Sequence, residues 1–194
     1  MLPPFLEMVR DIGHDVFTNG DYDLNIIGVR SSSRDVNSFD DRMACAYKVD
    51  GLWCVEWWEI TTDPGEWYLV DNPLNKAGTA ILKPGQYRST YTISKHQGKY
   101  DALCQRAGTV SVYRDNNRDR VLDMDERTLQ TGMFGINIHR RRGSSDDVDG
   151  ASAGCQVFRH ESAFNRLMTL ARKQVSERGW DKFTYTLVDE SELW

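Results

Sequence analysis

Apolar and polar positions recur along this chain with two different periods, and the switches between them sketch its elements. Phe5, Met8, Val9, Ile12 and Val16 return at helical spacing, which predicts a short N-terminal helix reaching to about Asn19. From Asp21 the period shortens. Residues 24–30, 43–48 and 52–61 read as strands, the last two joined by the turn Val49-Asp50-Gly51. Residues 80–82, 85–93 and 109–113 follow, punctuated by Pro and Gly, and the apolar run 135–138 delivers His139. After Cys155 the helical period resumes: Phe158, Phe164, Leu167, Met168, Leu170, Ala171 and Val175 form one stripe, ended by Arg178-Gly179. Residues 183–188 read as a closing strand. The expected fold is mainly β (α+β), a β-sandwich or barrel with one long C-terminal helix packed on it. It reads as a single domain: a helical segment at 1–20, a β-rich core with the candidate site at 21–157, and the helix and closing strand at 158–194.

The aromatics Trp53, Trp57, Trp58, Trp67 and Tyr68 concentrate in the β region. Core packing and cross-strand pairing account for them better than carbohydrate stacking, because tryptophan is mostly buried. The four cysteines, at 45, 54, 104 and 155, include no C-x-x-C pair and no zinc spacing. Cys45, Cys54 and Cys104 read as buried free thiols. A disulfide between Cys45 and Cys54, facing each other across a hairpin, is the alternative.

Composition excludes more than it selects. A chain of 194 residues, 40% hydrophobic and 27% charged, suits one globular domain with a real core. The net charge of -5 gives no electrostatic case for nucleic acid, and Arg140-Arg141-Arg142 is answered by Asp146, Asp147 and Asp149. No apolar run approaches the roughly 20 residues that span a bilayer. The first residues are acidic early and carry no basic n-region, so no signal peptide is expected and synthesis is expected in a cytoplasm.

The chemistry concentrates in Gly135-Ile136-Asn137-Ile138-His139 and Ser152-Ala153-Gly154-Cys155-Gln156-Val157. A nucleophilic thiol needs a lowered pKa, access and an oxyanion site. On this reading Cys155 is the nucleophile and His139, ending a strand, its base. Gly154 allows a sharp turn, Ser152 shapes it, and a helix starting just behind Cys155 lends its positive end to thiolate and oxyanion. The bland alternative is a buried cysteine and an unrelated surface histidine. His160, on or just before the helix, reads as a cap or a solvent-facing residue, and His96 as a loop residue that lines a cleft.

These segments resemble the L,D-transpeptidase catalytic domains, whose signature is a His-Gly at a strand end and a later Ser-His-Gly-Cys-apolar-Arg. Residues 60–65, Ile-Thr-Thr-Asp-Pro-Gly, and 78–87, Gly-Thr-Ala-Ile-Leu-Lys-Pro-Gly-Gln-Tyr, are similar to upstream parts of that pattern. The likeness runs from about Cys54 to Val157. Arg140 stands where the family has glycine, Ala153 where it has histidine, and Val157 where it has arginine. The resemblance implies attack of a Cys155 thiolate on a peptidoglycan stem peptide, with a thioester resolved by an amine or by water and no cofactor required. Arg140 would replace the lost arginine as carboxylate binder. With no export signal, the implied setting is a phage lysis or virion enzyme acting at the bacterial cell wall. A catalytically silent virion or wall-binding protein, and a cytosolic cysteine amidase or peptidase, are the alternatives.

Asp115, Asn117, Asp119, Val121, Asp123 and Glu126 fall at positions 1, 3, 5, 7, 9 and 12 of a calcium-loop spacing, with Val121 offering its carbonyl. Arg120 stands where such loops want glycine. The spacing admits a structural calcium, and a solvated acidic turn is the other reading.

Overall fold

The computed structural model describes every residue except Arg34 and Trp194. Its strands are β1 (Asn25–Arg30), β2 (Asp41–Val49), β3 (Leu52–Thr61), β4 (Thr79–Leu82), β5 (Gly85–His96), β6 (Tyr100–Gln105), β7 (Val110–Asp115), β8 (Gln130–Gly132), β9 (Ile138–Arg140), β10 (Gln156–Phe158) and β11 (Lys182–Asp189). Among the described residues eight of these close into a barrel in the order β1-β11-β5-β6-β9-β10-β3-β2, while β4, β7 and β8 form a separate sheet. The expected mainly β fold with a packed C-terminal helix is present, and its β part is a closed barrel with a second, three-stranded sheet.

Period-two alternation explains how the barrel wall is covered. Ile26, Met43, Cys45, Tyr47, Tyr185 and Leu187 face the main core, where helix α2 (Glu161–Arg178) buries Phe164, Leu167, Met168, Leu170 and Ala171. Their neighbours Ile27, Val29, Ala44, Ala46 and Val188 face the opposite side, under Leu6 and Val9 of helix α1 (Pro4–Asp11). Each such fully buried aliphatic is worth roughly 2 kcal/mol relative to exposure. The β2–β3 hairpin keeps its register from Asp41↔Ile60 to Val49↔Leu52. Its two central residues, Asp50 (φ 50°) and Gly51 (φ 76°), both take positive φ, which matches strand twist across a two-residue turn.

Several expectations change. The N-terminal helix stops at Asp11, because Gly13 turns at φ 94°, although Val16 still packs beneath it. The strand β6 and the short strands β8 and β10 were not legible. Phe158 belongs to β10, and α2 starts only at Glu161, after His160 takes an extended conformation at its N-cap. His160 makes no side-chain cap bond and lies exposed, 3.4 Å from Glu59. All four cysteines are free thiols. The hairpin pairs Cys45 with Glu56 and Cys54 with Tyr47, so the two thiols are not opposite each other and form no disulfide. Trp57 and Trp67 are substantially exposed, whereas Trp58 packs on Phe158. Among the described residues no helix is long and apolar enough to cross a membrane.

Candidate functional site

The barrel brings Cys155 and His139 onto adjacent strands. β9 and β10 run parallel, with Ile138 beside Gln156 and His139 beside Val157. One position earlier, Gln156 N donates to Asn137 O (2.9 Å) and Asn137 N donates to Cys155 Sγ (3.4 Å). The thiol in turn donates to Gly135 O (3.5 Å). Cys155 therefore sits level with Asn137, two positions before His139 on the partner strand. Among the described residues no hydrogen bond joins Cys155 Sγ to the His139 ring. His139 lines a cleft of about 450 Å³ with His96, Tyr100 and the loop that carries Val148 and Ala151. Val148, Ala151, Val157 and Cys155 also pack together, so that loop links the thiol to the cleft wall.

The turn before Cys155 is pinned from several sides. Buried Ser152 donates through Oγ to Cys155 O (2.8 Å) and accepts from Gly154 N (3.1 Å). Gly154 holds φ 111°, and a Cβ there would lie 2.3 Å from Ala80 O. Gln156, fully buried, accepts from Tyr185 Oη (2.7 Å) and donates to Gly154 O and Thr62 O (3.4 Å each). Ser152 and Gly154 thus shape the turn. The Gly154 N–H is engaged by Ser152 and does not face an oxyanion.

The electrostatics differ from the expectation of a thiolate at a helix end. A strand, not a helix, follows Cys155, and burial pushes its thiol up to about 11, only partly offset by the Asn137 N–H. Burial, reinforced by His96, pulls His139 down to about 3. The resting pair is a neutral thiol and a neutral imidazole. The tautomer of His139 follows from its partner: Nδ1 lies 2.8 Å from Arg140 O, a carbonyl that can only accept, so Nδ1 carries the proton and Nε2 is the basic nitrogen.

Asn137 escaped the sequence reading as a site residue, whereas His96 lines the cleft as that reading expected. His96 is buried at the end of β5, not in a loop, and its ring stacks on His139 at 4.1 Å and 23°. Asn137 Oδ1 accepts from Gln105 N (2.9 Å), which points its Nδ2 at His96 Nδ1 (3.2 Å). Gln105 Oε1 also accepts from the backbone of Phe134, Gly135 and Ile136, fixing the approach to β9. The faint sequence signal was two polar residues, Gln105 and Asn137, bordering apolar runs.

Arg140 lines the cleft as a candidate carboxylate binder would, but its charge is already answered. It pairs with Glu161 (2.5 Å) and lies over Tyr100 (4.7 Å). The family-like arginine position is filled by Val157, buried in the wall. A second cavity, of about 290 Å³, is lined by Ala80, Ile136 and Ala153 next to the thiol turn, and by Met133, Phe134 and Arg114. Arg114 is 6% exposed, donates to Gln130 Oε1 (2.9 Å) and Gly78 O (3.3 Å), and lies over Phe134 (4.6 Å). No carboxylate pairs with it among the described residues.

In the acidic loop, Asn117 Nδ2 bridges Asp119 Oδ2 (2.9 Å) and Asp123 Oδ2 (2.6 Å), and Asp123 N donates to Asp115 Oδ2 (2.9 Å). Glu126 is turned away: it accepts from Lys83 (2.6 Å) and Tyr113 Oη (3.0 Å) at the start of a 3-10 turn. It therefore stands outside the expected ligand set. No three acidic, His or Cys side chains are gathered closely enough to form a ready metal centre among the described residues.

Comparison with family models, with curated proteins and with solved structures gives no match to this chain.

Proposed function

We propose that the protein is a cysteine-dependent acyl-transfer enzyme acting on peptidoglycan stem peptides, in the manner of the L,D-transpeptidases it resembles. The observation that carries this reading is the parallel β9–β10 pairing, which sets Cys155 two positions from His139, itself a cleft-lining residue, with His139 Nε2 left unprotonated. In the step proposed, His139 Nε2 takes the thiol proton as Sγ attacks the peptide carbonyl. The C–N bond then breaks, the imidazolium returns the proton to the leaving amine, and a thioester remains for an amine or water to resolve. Because both partners rest neutral, proton transfer accompanies attack instead of preceding it.

Arg114 supports the same reading. It is a buried cation with no carboxylate partner among the described residues, in a cavity bounded by Ala80 and Ala153, and those properties suit the terminal carboxylate of a short peptide. A phage lysis or virion setting is the corresponding proposal for place of action.

A second reading, a wall-binding protein without turnover, is favoured by one observation: the thiol is held protonated and is not hydrogen-bonded to His139. Intact-protein mass spectrometry separates the two, after incubation with stem tetrapeptides and with a carbapenem, on wild type and Cys155→Ala. A covalent adduct or a released D-residue that disappears in the variant supports the enzyme. No adduct and no turnover in folded wild type removes it.

A further inference from the structure

Buried carboxylates need partners. Among the described residues Asp115 Oδ1 is buried with no hydrogen-bond partner, in a residue only 2% exposed. An ionised carboxylate left this way costs several kcal/mol unless a cation answers it. Its other oxygen accepts from Asp123 N, so the side chain faces the loop that also holds Asp119 and Asp123. Further along the loop the Asn117 amide nitrogen lies 2.6 Å from Asp123 Oδ2 and 2.9 Å from Asp119 Oδ2. A cation bound between two carboxylates would occupy that position. A half-turn of the amide would present its carbonyl oxygen instead.

We propose that residues 115–123, whose carboxylates stand apart in this structure, close around a calcium ion with the carboxylates of Asp115, Asp119 and Asp123, the Asn117 side-chain oxygen and the Val121 carbonyl as ligands. The donor set is all oxygen and contains no sulfur or imidazole, which selects a hard cation. The site lies in an irregular loop with no octahedral frame, which favours calcium over magnesium. Two observations meet here independently: the 1, 3, 5, 7, 9 spacing in the sequence and the orphaned oxygen at position 1. Glu126, which would complete a twelve-residue loop, is held by Lys83, and Arg120 replaces the turn glycine. Those departures place the affinity in the weaker range, with Kd between about 10 µM and 1 mM.

The ion would be structural. Leu122 anchors the loop in a cluster with Leu69, Ile81 and Tyr113. Arg120 pairs with Glu66, just before the π-helical turn Trp67–Asp71 whose Tyr68 lines the His139 cleft. Ordering the loop would therefore hold one wall of that cleft.

The test is calorimetric titration of EDTA-treated full chain with calcium chloride, paired with thermal unfolding. One saturable calcium per chain is expected, with a rise in Tm of several degrees that equimolar magnesium does not reproduce. Asp119→Asn, at an exposed position, should weaken binding at least tenfold while the calcium-free Tm stays near wild type. Asp115→Asn should abolish binding, and Asp119→Asn carries the test if that variant fails to fold. Folded protein that takes up no calcium at 10 mM (~10 times the weakest affinity expected) overturns the proposal. So does binding that is unchanged by Asp119→Asn, or a magnesium response equal to that of calcium.

Discussion

The imidazoles of His96 and His139 stack at 4.1 Å, nearly parallel, inside the barrel wall. Two buried rings so close strongly disfavour both being imidazolium at once. Burial lowers both pKa values, and His96 lowers that of His139 further. A histidine depressed in the folded state stabilises the fold above its unfolded pKa of 6.5. That contribution is lost as pH falls from there towards about 3, because the unfolded chain binds the proton first. The loss from His139 is at most about 5 kcal/mol. Urea midpoints should therefore decline across this window. His96→Phe keeps a ring in the stack and removes one titrating group, so its decline should start at the same pH but be shallower and level off at higher pH than that of wild type. Superimposable midpoint curves for the two proteins would show that the pair is not electrostatically linked.

Thiol reactivity provides a second check. A thiol held near 11 is only about one part in ten thousand ionised at pH 7. Alkylation of Cys155 by iodoacetamide, followed by peptide mass spectrometry, should rise about tenfold per pH unit between 7 and 10. It should show no plateau near neutrality, and His139→Ala should leave the slope unchanged, because no preformed ion pair exists to lose. A plateau below pH 8 would reveal a thiolate–imidazolium pair and contradict the neutral resting state.

Arg114 tests the carboxylate assignment within the proposed function. In a Cys155→Ala background, a stem tetrapeptide with a free C-terminus should bind at least tenfold more tightly than its C-terminal amide, as one charge-assisted pair of about 1.5–3 kcal/mol predicts. Arg114→Gln should erase that difference by removing the unpaired cation. Arg140→Gln should change it little, since Arg140 is already paired with Glu161. If Arg140→Gln erases the preference and Arg114→Gln does not, the cleft on the His139 side is the carboxylate site.

What the sequence disclosed depended on range. The β2–β3 hairpin was legible because its alternation and its Asp-Gly turn are local. The stripe of α2 was legible for the same reason, but its start was not. Phe158 fits the helical stripe by spacing, yet three residues after Cys155 are drawn between β9 and β3 to close the barrel, a tertiary demand that overrides the period. That single misplacement produced the wrong electrostatics, since a helix end lowers a thiol pKa and a buried strand raises it. His139 and Cys155 stood out by residue type and neighbours. His96 was legible only as a cleft residue, because its stack on His139 across β6 is formed between residues far apart in sequence.

The turn at Gly154 should be the least tolerant point of the site. Its φ of 111° is a region that side-chain-bearing residues rarely adopt, and a methyl group would meet Ala80 O at 2.3 Å, a backbone atom of a strand in the second sheet. Strain and overlap act together, so Gly154→Ala should cost about 2–4 kcal/mol in urea unfolding. Ser152→Ala leaves the backbone free but removes the hydroxyl that joins Gly154 N to Cys155 O. It should cost about 1–3 kcal/mol, because both buried partners are left unsatisfied. If Gly154→Ala unfolds at the wild-type midpoint, the turn has room to relax. The rigid placement of Cys155 on which the proposed chemistry depends would then be absent.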